Sequence, residues 1–389
     1  MGSKKGLMVQ FPCARGRAFV CKNIGDYVQS IAARQFVDPI DEYVEQEEAD
    51  QYYPEDKKEI RLIMNGWFQW RAENWPPSEY VRPLLISMHI SPLRADKLLS
   101  EKGIAFLRKN GPVGCRDTYT LDLLRSRNVP AYFSSCLTLT MGKKYAVSDS
   151  ERNGFYIVDP YFEIPALTEE TDSKKRRHPL RMLRFAFDYV RYRKPVNELA
   201  KREFFTLYSP KGFLDRDRSR YRPYYKAVCF YKTYVKKFDK KLLLDAEYIT
   251  HWLDVDMATA TNDQLLDYAE SLVKKYASAK MVITSRIHCG LPSLGMGTPV
   301  VFIANEEVVS EGGSFNTPGR LGGLLELFRV LNLSDGRFST EDSVFASVDT
   351  FTADTAFVNK DNWKEYAEKL DAACTRFMSD DIPEGQLNE

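Results

Sequence analysis

Met281-Val-Ile-Thr-Ser-Arg-Ile-His-Cys-Gly-Leu-Pro-Ser-Leu-Gly-Met-Gly-Thr-Pro-Val-Val-Phe-Ile303 is the stretch that decides the fold. Its first four residues and Val300 to Ile303 are short apolar runs rich in β-branched side chains, as expected of strands inside a parallel sheet. The residues between them suffice for one crossover helix, the connection that parallel strands require. Arg286 and His288 come just after the first run, at the carboxyl edge of the sheet, where open α/β proteins place their ligands. Pro292 lacks an N–H and fits a first helical turn. A helix start near Gly290 is therefore expected, with Ser285 to Cys289 as a loop that turns Arg286 and His288 outward. A permanent cation and a titratable imidazole two residues apart suit an anionic substrate to which a proton must be moved.

Outward from this stretch the same pattern recurs. Ile60 to Met64, Leu84 to Ile90, Ala131 to Thr140 and Phe155 to Val158 read as strands, and helical patterns alternate with them. Asn262 to Ala279 is the clearest helix, with Leu265, Leu266, Ala269, Leu272, Val273 and Tyr276 on one stripe. Asp96 to Lys109 and Asp361 to Met378 are further helices. Alternation in both halves predicts an α/β protein of two Rossmann-like domains facing a cleft, residues 1–150 and 151–389. The polar stretch from Met141 to Asn153 joins them.

Asn23-Ile-Gly-Asp opens the first helix. Gly25 permits an unusual turn, Asp26 is placed to cap the helix, and Asn23 with Gly25 would line an anion site at its N-terminus. His89 ends a strand, so it either reaches the cleft or needs a buried partner. Arg116-Asp117 follows a strand end as Arg286 does, and is either a salt bridge or a second basic contact. Arg320, in Gly319-Arg-Leu-Gly-Gly, opens a helix expected to run through Leu331. Trp67, Phe68 and Trp70 either stack on sugar faces or fill the core.

The 389 residues carry a formal net charge of +1, so the overall balance gives no reason to expect nucleic acid. A hydrophobic fraction of 44% with 13% aromatics belongs to a folded chain. Seven cysteines without a CxxC pair point to buried free thiols and a reducing compartment. With no signal-like start and no apolar run of about twenty residues, a cytoplasmic protein is expected. Asp254-Val-Asp256 is half of a metal-binding DxD signal, without further ligands at suitable spacing, so no metal is expected. Charge is nevertheless uneven: the stretch from Lys174 to Arg222 is strongly basic. A solvated face is the usual explanation. The alternative is a surface for an acidic polysaccharide, or peripheral membrane contact with a lipid-pyrophosphate carrier.

Thr284-Ser-Arg-Ile-His-Cys followed by Gly297-Thr-Pro-Val-Val-Phe-Ile resembles the polysaccharide pyruvyl transferases. Asn23-Ile-Gly-Asp-Tyr-Val-Gln-Ser, Leu84-Leu-Ile-Ser-Met-His-Ile, Gly111-Pro-Val-Gly-Cys-Arg-Asp-Thr-Tyr-Thr-Leu and Val129-Pro-Ala-Tyr-Phe-Ser-Ser-Cys-Leu-Thr-Leu-Thr agree, in the expected order. The resemblance implies a glycosyltransferase-B-like architecture and a reaction without obligatory metal or cofactor. Phosphoenolpyruvate would give its enolpyruvyl carbons to two hydroxyls of a sugar, oligosaccharide or lipid-linked glycan acceptor, leaving a pyruvate ketal and phosphate. Arg286 and His288 match the family's Arg-x-His element. His288 then fits the proton donor and Arg286 the anion clamp, with Arg320 a second phosphate clamp. His89, the second catalytic candidate, and Arg116 would face the acceptor or close the cleft.

The chemistry makes the same demands on its own terms. C3 of the enol ether must be protonated, C2 takes on oxocarbenium character, and the phosphate and carboxylate need cations. Two other readings stay open: a nucleotide-sugar glycosyltransferase on the same fold, and a non-catalytic sugar-binding protein.

Overall fold

The computed structural model describes residues 3–9, 23–68, 71–165, 168–171, 174–177, 179–208, 222–252, 260–305 and 321–379. The first sheet contains β1 (Lys4–Val9), β2 (Glu42–Glu45), β3 (Ile60–Met64) and β4 (Val81–Leu85), all parallel, in the order β2-β1-β3-β4. Bridges Trp67–His89 and Met88–Cys115 carry it on to a parallel pair, β5 (Val113–Cys115) and β6 (Ala131–Phe133). After β7 (Phe155–Val158) comes an antiparallel hairpin of β8 (Thr168–Thr171) and β9 (Lys174–Arg177).

The second sheet is ordered β10-β7-β11-β12-β13-β14. It contains β10 (Glu247–Ile249), β11 (Met281–Thr284), β12 (Val300–Ala304), β13 (Val330–Ser334) and one antiparallel edge strand, β14 (Arg337–Ser339). In each sheet the chain first goes to one side of its starting strand and then to the other. β2 and β3 flank β1, and β10 and β11 flank β7. A crevice opens at such a reversal, at the carboxyl ends of the strands. Parallel-dominated sheets with helical connections make this an α/β protein, as the alternation implied.

The helices that matter below are α1 (Gly25–Arg34), α2 (Glu101–Lys109), α3 (Thr118–Ser126), α4 (Pro179–Arg191), α5 (Arg222–Tyr234), α6 (Asn262–Ala277), α7 (Ile287–Gly295) and α8 (Lys364–Met378). Helix α6 starts with a capping box between Thr261 and Gln264 and buries its whole expected stripe. Tyr27, Val28 and Ile31 of α1 share one core with Leu265, Ala269 and Leu272 of α6. The Tyr27 hydroxyl also donates to Asn262 Oδ1 at 3.2 Å. One apolar cluster therefore runs between the two sheets. Helix α8 closes the structure across the first sheet, where Arg61 of β3 donates to the carbonyls of Phe377 and Ser379.

Several expected boundaries move. The strand expected over Leu84 to Ile90 is β4, which ends at Leu85; Ser87 then takes a left-handed φ of +52° and breaks the pleat. The strand expected over Ala131 to Thr140 stops at Phe133 and gives way to a 3-10 turn over Leu137–Met141. The helix expected over Asp96 to Lys109 is interrupted at Ser100, whose hydroxyl accepts from the Gly103 N–H and caps α2. The helix expected through Leu331 is a short turn, Leu325–Leu327, followed by β13. There Leu331 and Leu333 alternate with less buried neighbours at the period of a strand, which a run of leucines conceals.

Candidate active site

The switch point of the second sheet gathers Asp159 after β7, His251 after β10 and Arg286 after β11. Arg286 is the N-cap of α7, and its backbone N–H donates to Thr284 Oγ1 at 3.0 Å. The Thr284 hydroxyl in turn donates to the Val158 carbonyl at 2.8 Å. Arg286 Nε donates to Asp159 Oδ2 at 3.1 Å, and the guanidinium carbon lies 5.0 Å from the centre of the Trp252 ring. A carboxylate on one side and an aromatic face below set the plane of the fork while 30% of the side chain stays exposed. Asp159 itself has a left-handed φ of +39°, and its Oδ2 also accepts the His251 N–H at 2.9 Å. Strain of this kind at a strand end persists only where neighbours over-determine it.

His288 departs from expectation. Helix α7 begins at Ile287, and Pro292 lies inside it instead of in its first turn. Without an N–H, Pro292 gives nothing to the carbonyl one turn earlier, which is that of His288. A nine-residue helix tolerates that loss, and the Ser293 hydroxyl donates to the Cys289 carbonyl at 2.7 Å in the same turn. The expected outward loop is thus a helical turn, and His288 is only 4% exposed.

The first half of the chain meets this edge at Asn23 and Gly25. Asn23 forms a bridge with Trp252, and the Ile24 N–H donates to the His251 carbonyl at 2.9 Å. A β-carbon on Gly25 would stand 3.0 Å from His251 Nδ1 and 3.3 Å from His288 Cβ, so a side chain there would have to push the two segments apart by a few tenths of an ångström. Asp26 is not the cap. Asn23 Oδ1 accepts the Gly25 N–H at 3.2 Å, its backbone oxygen accepts the Asp26 N–H at 3.2 Å, and its Nδ2 donates to Asp26 Oδ1 at 3.3 Å. Asn23 thereby occupies the first amides of α1. The turn contributes close backbone packing and a carboxylate, and not the anion-binding amides expected of it.

His251 was no sequence candidate, because a histidine after a three-residue strand carries no signal of its own. It is fully enclosed, and its Nε2 hydrogen bonds with the Tyr276 hydroxyl at 2.8 Å. Burial pushes its pKa from 6.5 down to about 4, with Asp159 opposing and Arg286 assisting. The folded state therefore holds His251 neutral, and its stabilising contribution is complete above pH 6.5 and lost as pH falls through 4. That loss amounts to about 3 kcal/mol at 1.36 kcal/mol per unit. The melting temperature should fall over this window, and His251→Gln should flatten the fall. An unchanged slope in the variant would assign the acid sensitivity to other groups.

A second set of polar groups lines the carboxyl ends of the first sheet. His89 is fully buried, and its Nδ1 is 2.6 Å from Asp117 Oδ2; the ring also meets Trp67 edge-on. Asp117 caps α3 through Oδ1, which accepts from the Thr120 N–H and hydroxyl, both at 2.9 Å. Burial alone would raise the Asp117 pKa; His89, Arg116 and the Thr120 N–H together hold it below the usual carboxylate range. Of the two readings of Arg116-Asp117, the salt bridge does not form: Asp117 pairs with His89, which thereby has the buried partner that an interior histidine requires. Phe68 packs on Trp75 in the core, and Trp70 lies outside the described residues.

Arg116 is itself 0% exposed and reaches Gln29 Oε1 of α1 from Nη1 at 3.4 Å. Among the described residues its Nε and Nη2 have no hydrogen-bond partner, and neither do Asn65 Oδ1, Ser87 Oγ and Ser135 Oγ. Ser87 and Ser135 both have left-handed φ, +52° and +62°. Unsatisfied buried donors and strained serines at successive strand ends are the marks of a ligand site.

Among the described residues five cysteines are free and buried. Burial raises the thiols of Cys115, Cys289 and Cys374, and that of Cys229 to about 11, so none of these four is a thiolate nucleophile at neutral pH. Among the described residues, no group of three or more His, Cys, Asp or Glu is arranged to hold a metal, and no helix is long and apolar enough to cross a membrane. Arg320, Asp254 and Asp256 lie outside the described residues.

A family model described as polysaccharide pyruvyl transferase matches residues 23–307, from the Asn23 turn through the Arg286–His288 element to just past β12. No curated protein matches the chain. The match covers well over half of the sequence and both clusters above: the chain belongs to the polysaccharide pyruvyl transferase family.

Proposed function

We propose that the protein moves the enolpyruvyl group of phosphoenolpyruvate onto two hydroxyls of one sugar in a polysaccharide or glycan precursor, forming a ketal and releasing phosphate. The frame for this is two Rossmann-like halves meeting near residue 150 in a glycosyltransferase-B-like arrangement. The observation that carries the reading is Arg286, oriented by Asp159 and Trp252 and still partly exposed, two residues from His288 at the switch point of the second sheet. A guanidinium so held grips a phosphate or carboxylate bidentately.

His288 delivers the proton to C3 of the enol. The first sugar hydroxyl adds to C2 and returns its proton to the His288 imidazole, the phosphate departs with its C–O electron pair, and the second hydroxyl closes the ketal as its proton passes to the phosphate. Arg116, with Ser87, Ser135 and Asn65 at other strand ends of the first half, holds the second anionic or acceptor group, and Arg320 is a further phosphate contact. His89 acts as a positioning residue: through Asp117 it fixes the start of α3 immediately after Arg116. Asn23, Gly25 and Asp26 bring the first half against His288. The acceptor is a sugar, an oligosaccharide or a lipid-linked glycan.

Phosphoenolpyruvate at a hundredfold excess over its Kd should stabilise the protein by about 2.7 kcal/mol. Thermal melting with phosphoenolpyruvate and with a UDP-sugar separates the donors. A shift with the UDP-sugar and none with phosphoenolpyruvate would move the assignment to a glycosyltransferase. No shift with either would favour a sugar-binding role.

A further inference from the structure

Helix α4 carries its side chains the wrong way round for a surface helix, which normally turns its charged face to water. Leu180, Leu183, Phe187 and Val190 follow a spacing of three, four and three, and so form one stripe along the helix. They are 71%, 70%, 67% and 73% exposed. The opposite face is the packed one, where Phe185 meets Tyr225 edge-on and Tyr189 meets Tyr224. Asp188, also on that side, pairs with Lys232 of α5 at 3.2 Å. Arg184 and Arg191 border the apolar stripe. From Lys174 to Lys194 the sequence holds nine Lys or Arg against the single acid Asp188, which gives a net charge of +8. A solvated charged face therefore does not describe this segment; Arg216, Arg218 and Arg220 lie outside the described residues.

We propose that α4 is a membrane-surface helix that lays Leu180, Leu183, Phe187 and Val190 into the headgroup region of an anionic bilayer. Arg184 and Arg191, which flank the stripe, would lie over the acidic headgroups. An exposed apolar stripe bordered by Lys and Arg is the composition of interfacial helices. A second copy of the chain fits the face poorly. A thirteen-residue helix offers a strip roughly 20 Å by 10 Å, well short of the ~800 Å² per partner in stable interfaces. Self-association would also set two +8 segments against each other. An acidic polysaccharide would account for the charge and leave the apolar stripe unexplained.

This proposal does not depend on the reaction assigned above, and its test needs no turnover. Full-length protein is sedimented with vesicles of phosphatidylcholine alone and with phosphatidylglycerol added. Binding should require the anionic lipid and weaken with salt. Leu183→Glu/Phe187→Glu should lower vesicle partitioning by about tenfold or more, and Arg184→Gln/Arg191→Gln should reduce it by a smaller factor. All four positions lie on the outward side of α4, and thermal melting checks that each variant folds. Equal partitioning of wild type and the Leu183/Phe187 variant would overturn the proposal, as would no binding to anionic vesicles. Dimerisation of the wild type that the same variant abolishes would also overturn it, and so would binding to soluble dextran sulfate alone.

Discussion

Turnover of a folded His288→Ala protein should fall to about 10⁻² to 10⁻⁴ of wild type, the range for loss of a positioned acid. The enol carbon accepts a proton reluctantly, so the donor must be held at C3 while cations offset the charge on phosphate and carboxylate. His288 sits in the first turn of α7, with its Cβ against the Gly25 backbone and 4% of the residue exposed. Such a position shields a proton from bulk water. Run in D₂O, the wild-type reaction should place one deuterium in the methyl group of the ketal. Arg286→Lys should act differently. It keeps the charge but loses both the fork and the bond from Nε to Asp159, so the KM for phosphoenolpyruvate should rise roughly 10- to 100-fold, as for a lost charged hydrogen bond. Near-normal turnover in His288→Ala with an unchanged melting temperature would leave the residue a core histidine.

Much of this site was legible because strand ends in a parallel sheet announce themselves. Ile60–Met64, Phe155–Val158 and Met281–Thr284 form as expected, since a strand buried on both faces reads as an unbroken apolar run. Arg286 follows such a run directly. What stayed hidden depended on partners distant in sequence. Asp159 and His251 matter because β7 and β10 lie side by side, a pairing between residues some ninety apart that no local pattern encodes. His89 is ambiguous by sequence alone, because its partner Asp117 lies 28 residues away in the chain. Asp26 suited a cap by residue type, but Asn23 stood closer and bonded the first amides. Pro292 misled for a similar reason: its cost inside a helix is a preference, and the tertiary packing of α7 outweighed it. The basic segment was visible as charge, yet only the orientation of α4 shows that the outward stripe is apolar.

Arg116→Met should leave the ligand-free protein as stable as wild type or more so, while lowering turnover by about 10²- to 10³-fold. The two effects have one cause. Arg116 is fully buried, its contact with Gln29 is long at 3.4 Å, and Nε and Nη2 have no partner among the described residues. Each unsatisfied N–H costs about 1–3 kcal/mol, and an apolar side chain of similar length removes that cost. Asp117 loses a favourable neighbour but keeps His89 and the Thr120 N–H, so the start of α3 should survive the exchange. A phosphate or carboxylate on Arg116 would satisfy both nitrogens, so the donors that burden the free protein become contacts of the complex. The melting shift with phosphoenolpyruvate should accordingly shrink or vanish in the variant, although the variant without ligand melts no lower. If Arg116 instead served only the fold, the signs would reverse: Arg116→Met would melt lower and retain the full ligand-induced shift. Melting curves of both proteins, with and without phosphoenolpyruvate, decide between these outcomes, because a purely structural arginine cannot give a variant that is both stable and unresponsive.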